Sequence, residues 1–205
     1  MTVLPRLEQS LTDAIRAERS APRHAPRRRR GRRLTLVLVA TLAVSATALA
    51  ATRPWTNLDD AVDHGQRPHA PDRTLPVLGG AGTESLARFR GQVVILSFFA
   101  SWCAPCRAQT PLIDRTGRAL AADRRGAALL VDWPDDPRAA KDFAARQRLT
   151  MPVVTDDRGG LGRAYGLQGL PATFVIDPEG RVVAISRTGV TRRFLDAAIA
   201  KAERP

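Results

Sequence analysis

With 205 residues and 22.2 kDa, the chain has room for one packed domain plus extensions. Its formal net charge is +12, but the excess is uneven: residues 1–33 hold ten Arg against three acids, densest at RRRRGRR (27–33), while residues 34–72 are net acidic. Aromatics are 5% of residues and no zinc-finger spacing or RNA-binding aromatic motif accompanies the run, which therefore reads as a solvated or membrane-proximal patch and excludes nucleic acid as a partner.

In chain order, Leu4, Leu7, Leu11 and Ile15 fall at helical spacing, with Pro5 suited to a first turn. This predicts a short interfacial helix beside the Arg run, or a cytoplasmic docking helix for a partner. Residues 34–51, LTLVLVATLAVSATALAA, carry no charge and reach about 27 Å as a helix, enough to cross a bilayer core. The Arg-rich flank before them and Asp59, Asp60 and Asp63 after them place the N-terminus in the cytoplasm. A cleavable signal is the competing reading, because Ala48-Leu49-Ala50 fits a cleavage site. The basic region is longer than a signal peptide needs, which favours an uncleaved anchor. Residues 52–74 are rich in Pro and Asp without sustained periodicity and read as a tether. The expected layout is a basic cytoplasmic tail at 1–33, a transmembrane anchor in the lipid bilayer at 34–51, the tether at 52–74 and an extracytoplasmic domain at 75–205.

Within that domain VVILSFF (93–99) is apolar on both faces except at Ser97, as in a central strand covered on both sides. AALLV (127–131) and ATFVI (172–176) have the same character. Leu112, Ile113, Thr116, Ala119 and Leu120 mark a helix between the first two, and Ala140, Phe143 and Ala144 start another. Asp177-Pro178-Glu179-Gly180 is turn chemistry joining ATFVI to VVAIS in an antiparallel hairpin. Thr191 caps a last helix carrying Phe194, Leu195, Ala198 and Ile199. The fold class is α/β, a mixed central sheet flanked by helices.

The chain's two cysteines, Cys103 and Cys106, sit together in SFFASWCAPCRAQTP (97–111). Half a zinc site is one reading, but His24, His64 and His69 all precede the domain, so no metal is expected. An inert disulfide is another, although closing so short a loop constrains the unfolded chain little. The third reading is a redox pair. With the helix starting near Ala104-Pro105, Cys103 stands at its N-terminus, where free N–H groups and the macrodipole favour thiolate, and Cys106 lies one turn inward. Pro105 is tolerated in a first turn, and Pro111 falls inside the helix and predicts a kink.

WCAPC after a strand, Pro111 within the following helix and GLPATFVID (169–177) resemble the thioredoxin superfamily over about residues 75–203. The tether-plus-anchor layout and an insertion around 134–165 resemble its TlpA/ResA-like branch of membrane-anchored thiol-disulfide oxidoreductases. The resemblance implies a thioredoxin-like fold, Cys103 as nucleophile, Cys106 as resolving thiol and no cofactor beyond the redox-active Cys103–Cys106 disulfide. It implies that Pro171 is a cis-proline facing the dithiol and that Trp102, Leu170 and Pro171 bind substrate, with the Leu170 backbone pairing an extended segment. Ala104 and Pro105 would tune the potential. Partners would be exported protein disulfide substrates, including apocytochromes c awaiting haem attachment, and a membrane thiol electron donor. Two positions depart from the pattern: Gln109 and Ser97 stand where relatives commonly carry acids. A peroxiredoxin-like peroxidase and a non-catalytic docking or holdase module are the alternatives, and Ala100 at three residues before Cys103 speaks against the first.

Overall fold

The structure is a computed structural model and describes residues 57–204. The amphipathic segment, the Arg run and the anchor lie outside the described residues. Among the described residues no helix is long and apolar enough to cross a membrane.

Five strands build the sheet: β3 (Val93–Phe99), β4 (Gly126–Asp132), β5 (Val153–Thr155), β6 (Ala172–Ile176) and β7 (Val182–Ser186), following a separate two-residue hairpin of β1 (Leu75–Pro76) and β2 (Thr83–Glu84). Their order is β5-β4-β3-β6-β7. β3, β4 and β5 run parallel, whereas β6 is antiparallel to β3 and β7 to β6. All seven residues of β3 are buried, as a central strand covered on both faces requires. The turn read at 177–180 closes through a bond from Gly180 N–H to the Asp177 carbonyl (2.8 Å), and Asp177 Oδ1 accepts Arg181 N–H (2.8 Å).

Strand alternation divides the core in two. On one face Val93, Ile95 and Phe99 of β3 and Ala128 and Leu130 of β4 pack with α2 (Ala104–Ala122), α3 (Pro137–Arg146) and α5 (Arg192–Ala202). On the other, Val94, Leu96 and Phe98 pack with Leu129, Val131 and Phe174, and with α1 (Leu58–Asp63) and the Leu161–Tyr165 segment that contains most of α4 (Gly160–Ala164). The approach of α2 to β4 is set by Gly117, where a Cβ would lie 2.5 Å from Ala128 Cβ. Thr191 caps α5 by accepting Phe194 N–H at 3.1 Å.

Two differences from the sequence expectation stand out. From Asn57 onward the segment read as a tether is folded against the sheet. Asn57 caps α1, Ala61 and Val62 are buried, Asp59 pairs with Arg187, and Val182 N–H donates to the Pro68 carbonyl. Six helical residues carry too little periodicity to read from sequence, and long-range contacts hold them in place. The insertion at 134–165 contains α3, the three-residue β5 and α4; β5 is too short to display alternation.

Candidate active site

β3 ends at Phe99, and a four-residue loop delivers Cys103 to the N-cap of α2. There its Sγ accepts the backbone N–H of Cys106 at 3.2 Å. The two cysteines form a disulfide with a Cα–Cα distance of 5.3 Å. Pro105 occupies the first turn, where its missing N–H has no helical partner. In the closed disulfide Cys103 is only 4% exposed and Cys106 is fully buried, both within the core cluster that includes Phe99. Trp102 (62% exposed), Ala104 and Pro105 form the accessible rim instead.

The Leu170–Pro171 peptide bond is cis. Phe98 registers with Ala172, so Pro171 follows opposite Phe99 and the cis bond lies beside the loop that leads to the dithiol. Leu170 is partly buried and touches both core clusters.

The two departures from the family pattern meet inside the structure. Ser97 is buried in the middle of β3, where an unpaired hydroxyl is costly, and its Oγ lies 2.8 Å from Thr173 Oγ1 on the neighbouring strand. Gln109 is also buried. Its Nε2 donates to Ser97 Oγ (3.4 Å) and its Oε1 accepts Val190 N–H (2.9 Å), tying α2 to the β7–α5 loop. The same loop passes Pro171, since a Cβ on Gly189 would meet both Gln109 Oε1 and Pro171 Cγ. Ser97, Gln109 and Pro171 are thus joined through the β7–α5 loop, and Gln109 lies on the helix that starts at the dithiol. Trp102, Ala104 and Pro105 sit at the rim, and Leu170 is partly buried.

Four supporting residues were not singled out from sequence. Thr173 is two residues after the cis-proline and is apolar-strand material by pattern. Gln147 on the loop after α3 donates to the Arg107 carbonyl (3.3 Å), which Pro111 deprives of its helical N–H partner. Asp135 accepts the N–H and the hydroxyl of Ser101, holding the loop before Trp102. Asp132 closes the apolar run AALLV, and that position was its only signal. Asp132 is 3% exposed, and burial, followed by the nearby charges of Asp135 and Asp157, pushes its pKa up to about 7. Burial also raises the Tyr165 phenol far above its ordinary value. Among the described residues no group of acids, His and Cys is arranged to hold a metal.

A dithiol at a helix start, following the central strand of a mixed sheet and flanked by a cis-proline, defines the thioredoxin-like class. The chain belongs to the AhpC/TSA family, whose profile matches residues 67–185. It is 33% identical over 124 residues to the thiol-disulfide oxidoreductase ResA of Geobacillus thermodenitrificans, covering 60% of this chain and 70% of that one. It is 32% identical over 117 residues to the thiol:disulfide interchange protein HelX of Rhodobacter capsulatus, covering 56% and 63%. Among solved structures, a secreted thiol-disulfide isomerase of Corynebacterium glutamicum superposes with a TM-score of 0.61 at 28% identity, covering 69% of this chain and 90% of that one.

Proposed function

We propose that this protein is an extracytoplasmic thiol-disulfide oxidoreductase that reduces disulfides of exported polypeptides through Cys103 and Cys106. The observation that carries this reading is the Cys103–Cys106 disulfide at the start of α2, beside the cis Leu170–Pro171 bond. In the reduced protein the Cys103 thiolate, supported by the Cys106 N–H and the helix N-terminus, attacks one sulfur of the substrate disulfide. A mixed disulfide forms and the first substrate thiolate leaves. Cys106, deprotonated, then attacks Cys103 Sγ, releases the second substrate thiolate and restores the Cys103–Cys106 bond. Two electrons pass to the substrate, and a membrane thiol donor returns them.

Trp102, Leu170 and Pro171 form the substrate surface in this reading, with Leu170 pairing its backbone to an extended segment. Ala104, Pro105, Gln109 and Ser97 set the potential. The relatives' names support the chemistry: ResA is named a thiol-disulfide oxidoreductase and HelX a thiol:disulfide interchange protein. Substrates awaiting haem attachment, a bilayer anchor at 34–51 and a catalytic domain outside the cytoplasm complete the proposal.

The test is trapping. Cys106→Ser should accumulate a mixed disulfide with a disulfide-bonded polypeptide, and Cys103→Ser should not. In the reduced protein alkylation at neutral pH should label Cys103 far faster than Cys106. Trapping by the other variant would reverse the roles. The full-length protein should turn over a protein disulfide and leave hydrogen peroxide largely unreacted. Preference for peroxide would favour the peroxidase alternative, and the absence of turnover with either would favour a docking module.

A further inference from the structure

Asp132 is a buried carboxyl whose Oδ1 has no hydrogen-bond partner, an arrangement that needs a physical reason. Its place in the sheet supplies one. Ala128 and Leu130 of β4 belong to the same buried cluster as Phe99, Cys103 and Cys106, and Asp132 is the next residue of that alternation. It registers with Phe99, the last residue of β3 before the loop to Cys103. The chain after it is bound to that loop: Trp133 N–H donates to the Phe99 carbonyl (2.8 Å) and Asp135 holds Ser101.

The charges around Asp132 do not offset it. Asp135 follows on its own loop. Asp156, whose N–H donates to the Asp132 carbonyl, and Asp157 come from the β5–α4 loop. From α2, Arg107 directs its guanidinium to the Ser101 carbonyl instead. The carboxyl therefore exchanges its proton near neutral pH, at about 7, when the dithiol is closed. A thiolate formed on the same face adds another negative charge, which raises that value further.

We propose that Asp132 is the proton partner of the dithiol, a positioning residue that takes up a proton when the Cys103–Cys106 disulfide is reduced and returns it when the disulfide re-forms. The proposal rests on the disulfide-exchange reading above. A dithiol donor gives up two electrons and two protons. The electrons break the S–S bond; one proton goes to Cys106, Cys103 remains a thiolate, and the Asp132 carboxylate takes the second proton. Reduction of a substrate disulfide to two thiols runs the balance backwards, with Cys106 and Asp132 each releasing one proton. Asp132 thus lets Cys103 stay a thiolate without adding net charge to the site.

The test is the pH dependence of the full-length protein's equilibrium with a dithiothreitol redox buffer, between about pH 6 and about pH 9. Above neutral pH the wild type should take up one proton more per disulfide reduced than Asp132→Asn, so its equilibrium constant changes by about an extra tenfold per pH unit. Asp132→Ser serves as a second variant should the Asn side chain disturb folding. Infrared difference spectra of the wild type need no variant: above pH 7, reduction should produce a protonated-carboxyl band. Equal pH slopes in wild type and variants, or no such band, would overturn the proposal. Catalytic failure on substrates with the proton coupling intact would instead refute the disulfide-reductase reading and leave Asp132's role standing.

Discussion

At the scale of single residues, Gln109 is the position where neutrality matters most. It is buried, bonded to Ser97 and to the Val190 N–H, and lies on the helix that carries both cysteines. A carboxylate there would oppose a second anion nearby. Gln109→Glu is therefore expected to shift the thiolate absorbance titration of the reduced protein to higher pH; an unchanged titration would show that residue 109 does not reach the dithiol's field. Asp132 bears on stability with a definite sign. Its pKa of about 7 in the fold exceeds the ordinary 3.8, so between those values the folded state binds more protons than the unfolded one. Its contribution to stability therefore falls as pH rises through that window and stays low above it. Asp132→Asn should gain melting temperature relative to wild type at pH 8 more than at pH 4, with a ceiling of about 4 kcal/mol between the two. Equal shifts at both pH values would mean that the carboxyl titrates normally.

At the scale of elements, α2 has to satisfy two demands at once. It must present a sulfur at its N-terminus and accommodate Pro111 in its body. Thr110 Oγ1 donates to the Cys106 carbonyl (2.7 Å) and Gln147 to the Arg107 carbonyl, so the turn that Pro111 weakens stays bonded. The helix is also seated unusually close to β4 at Gly117. Gly117→Ala would place its methyl within 2.5 Å of Ala128 Cβ. Overpacking of this kind is expected to cost about 1–3 kcal/mol, read as a lower denaturant midpoint, even though alanine is the better helix former. Ala128→Gly in the same chain should restore part of the loss. A stabilised Gly117→Ala protein would show that the helix can lift off the sheet freely.

At the scale of the molecule, the catalytic reading depends on which side of a membrane the domain occupies. The anchor proposed at 34–51 predicts that the mature chain stays in the membrane fraction with residues 1–33 protected in the cytoplasm. A soluble exported form whose mature N-terminus is Ala51 would establish a cleaved signal instead. The proposed direction of electron flow is a whole-molecule property as well. A reductase should have a potential nearer ~−270 mV than the ~−120 mV of a strong oxidant. A value close to the latter would reverse the direction and leave the exchange chemistry in place.

Local chemistry carried much of this protein into plain view in the sequence. The apolar run 93–99, the dithiol one turn into a helix, the turn at 177–180 and the Thr191 cap each depend on residues a few positions apart, and each forms where spacing placed it. The family motif around Pro171 carried the cis bond, which no local pattern requires. What tertiary structure decided joins distant positions. Ser97 finds Thr173 76 residues away, Gln147 reaches back 40 residues to Arg107, and Asp135 holds Ser101 across 34. The same is true of α1, whose six residues gain their place only by burying Ala61 and Val62 and pairing Asp59 with Arg187. Asp132 makes the distinction sharpest. Its residue type is visible at the end of a strand, but its acidity follows from burial and from charges on two loops, and those exist only once the chain has folded.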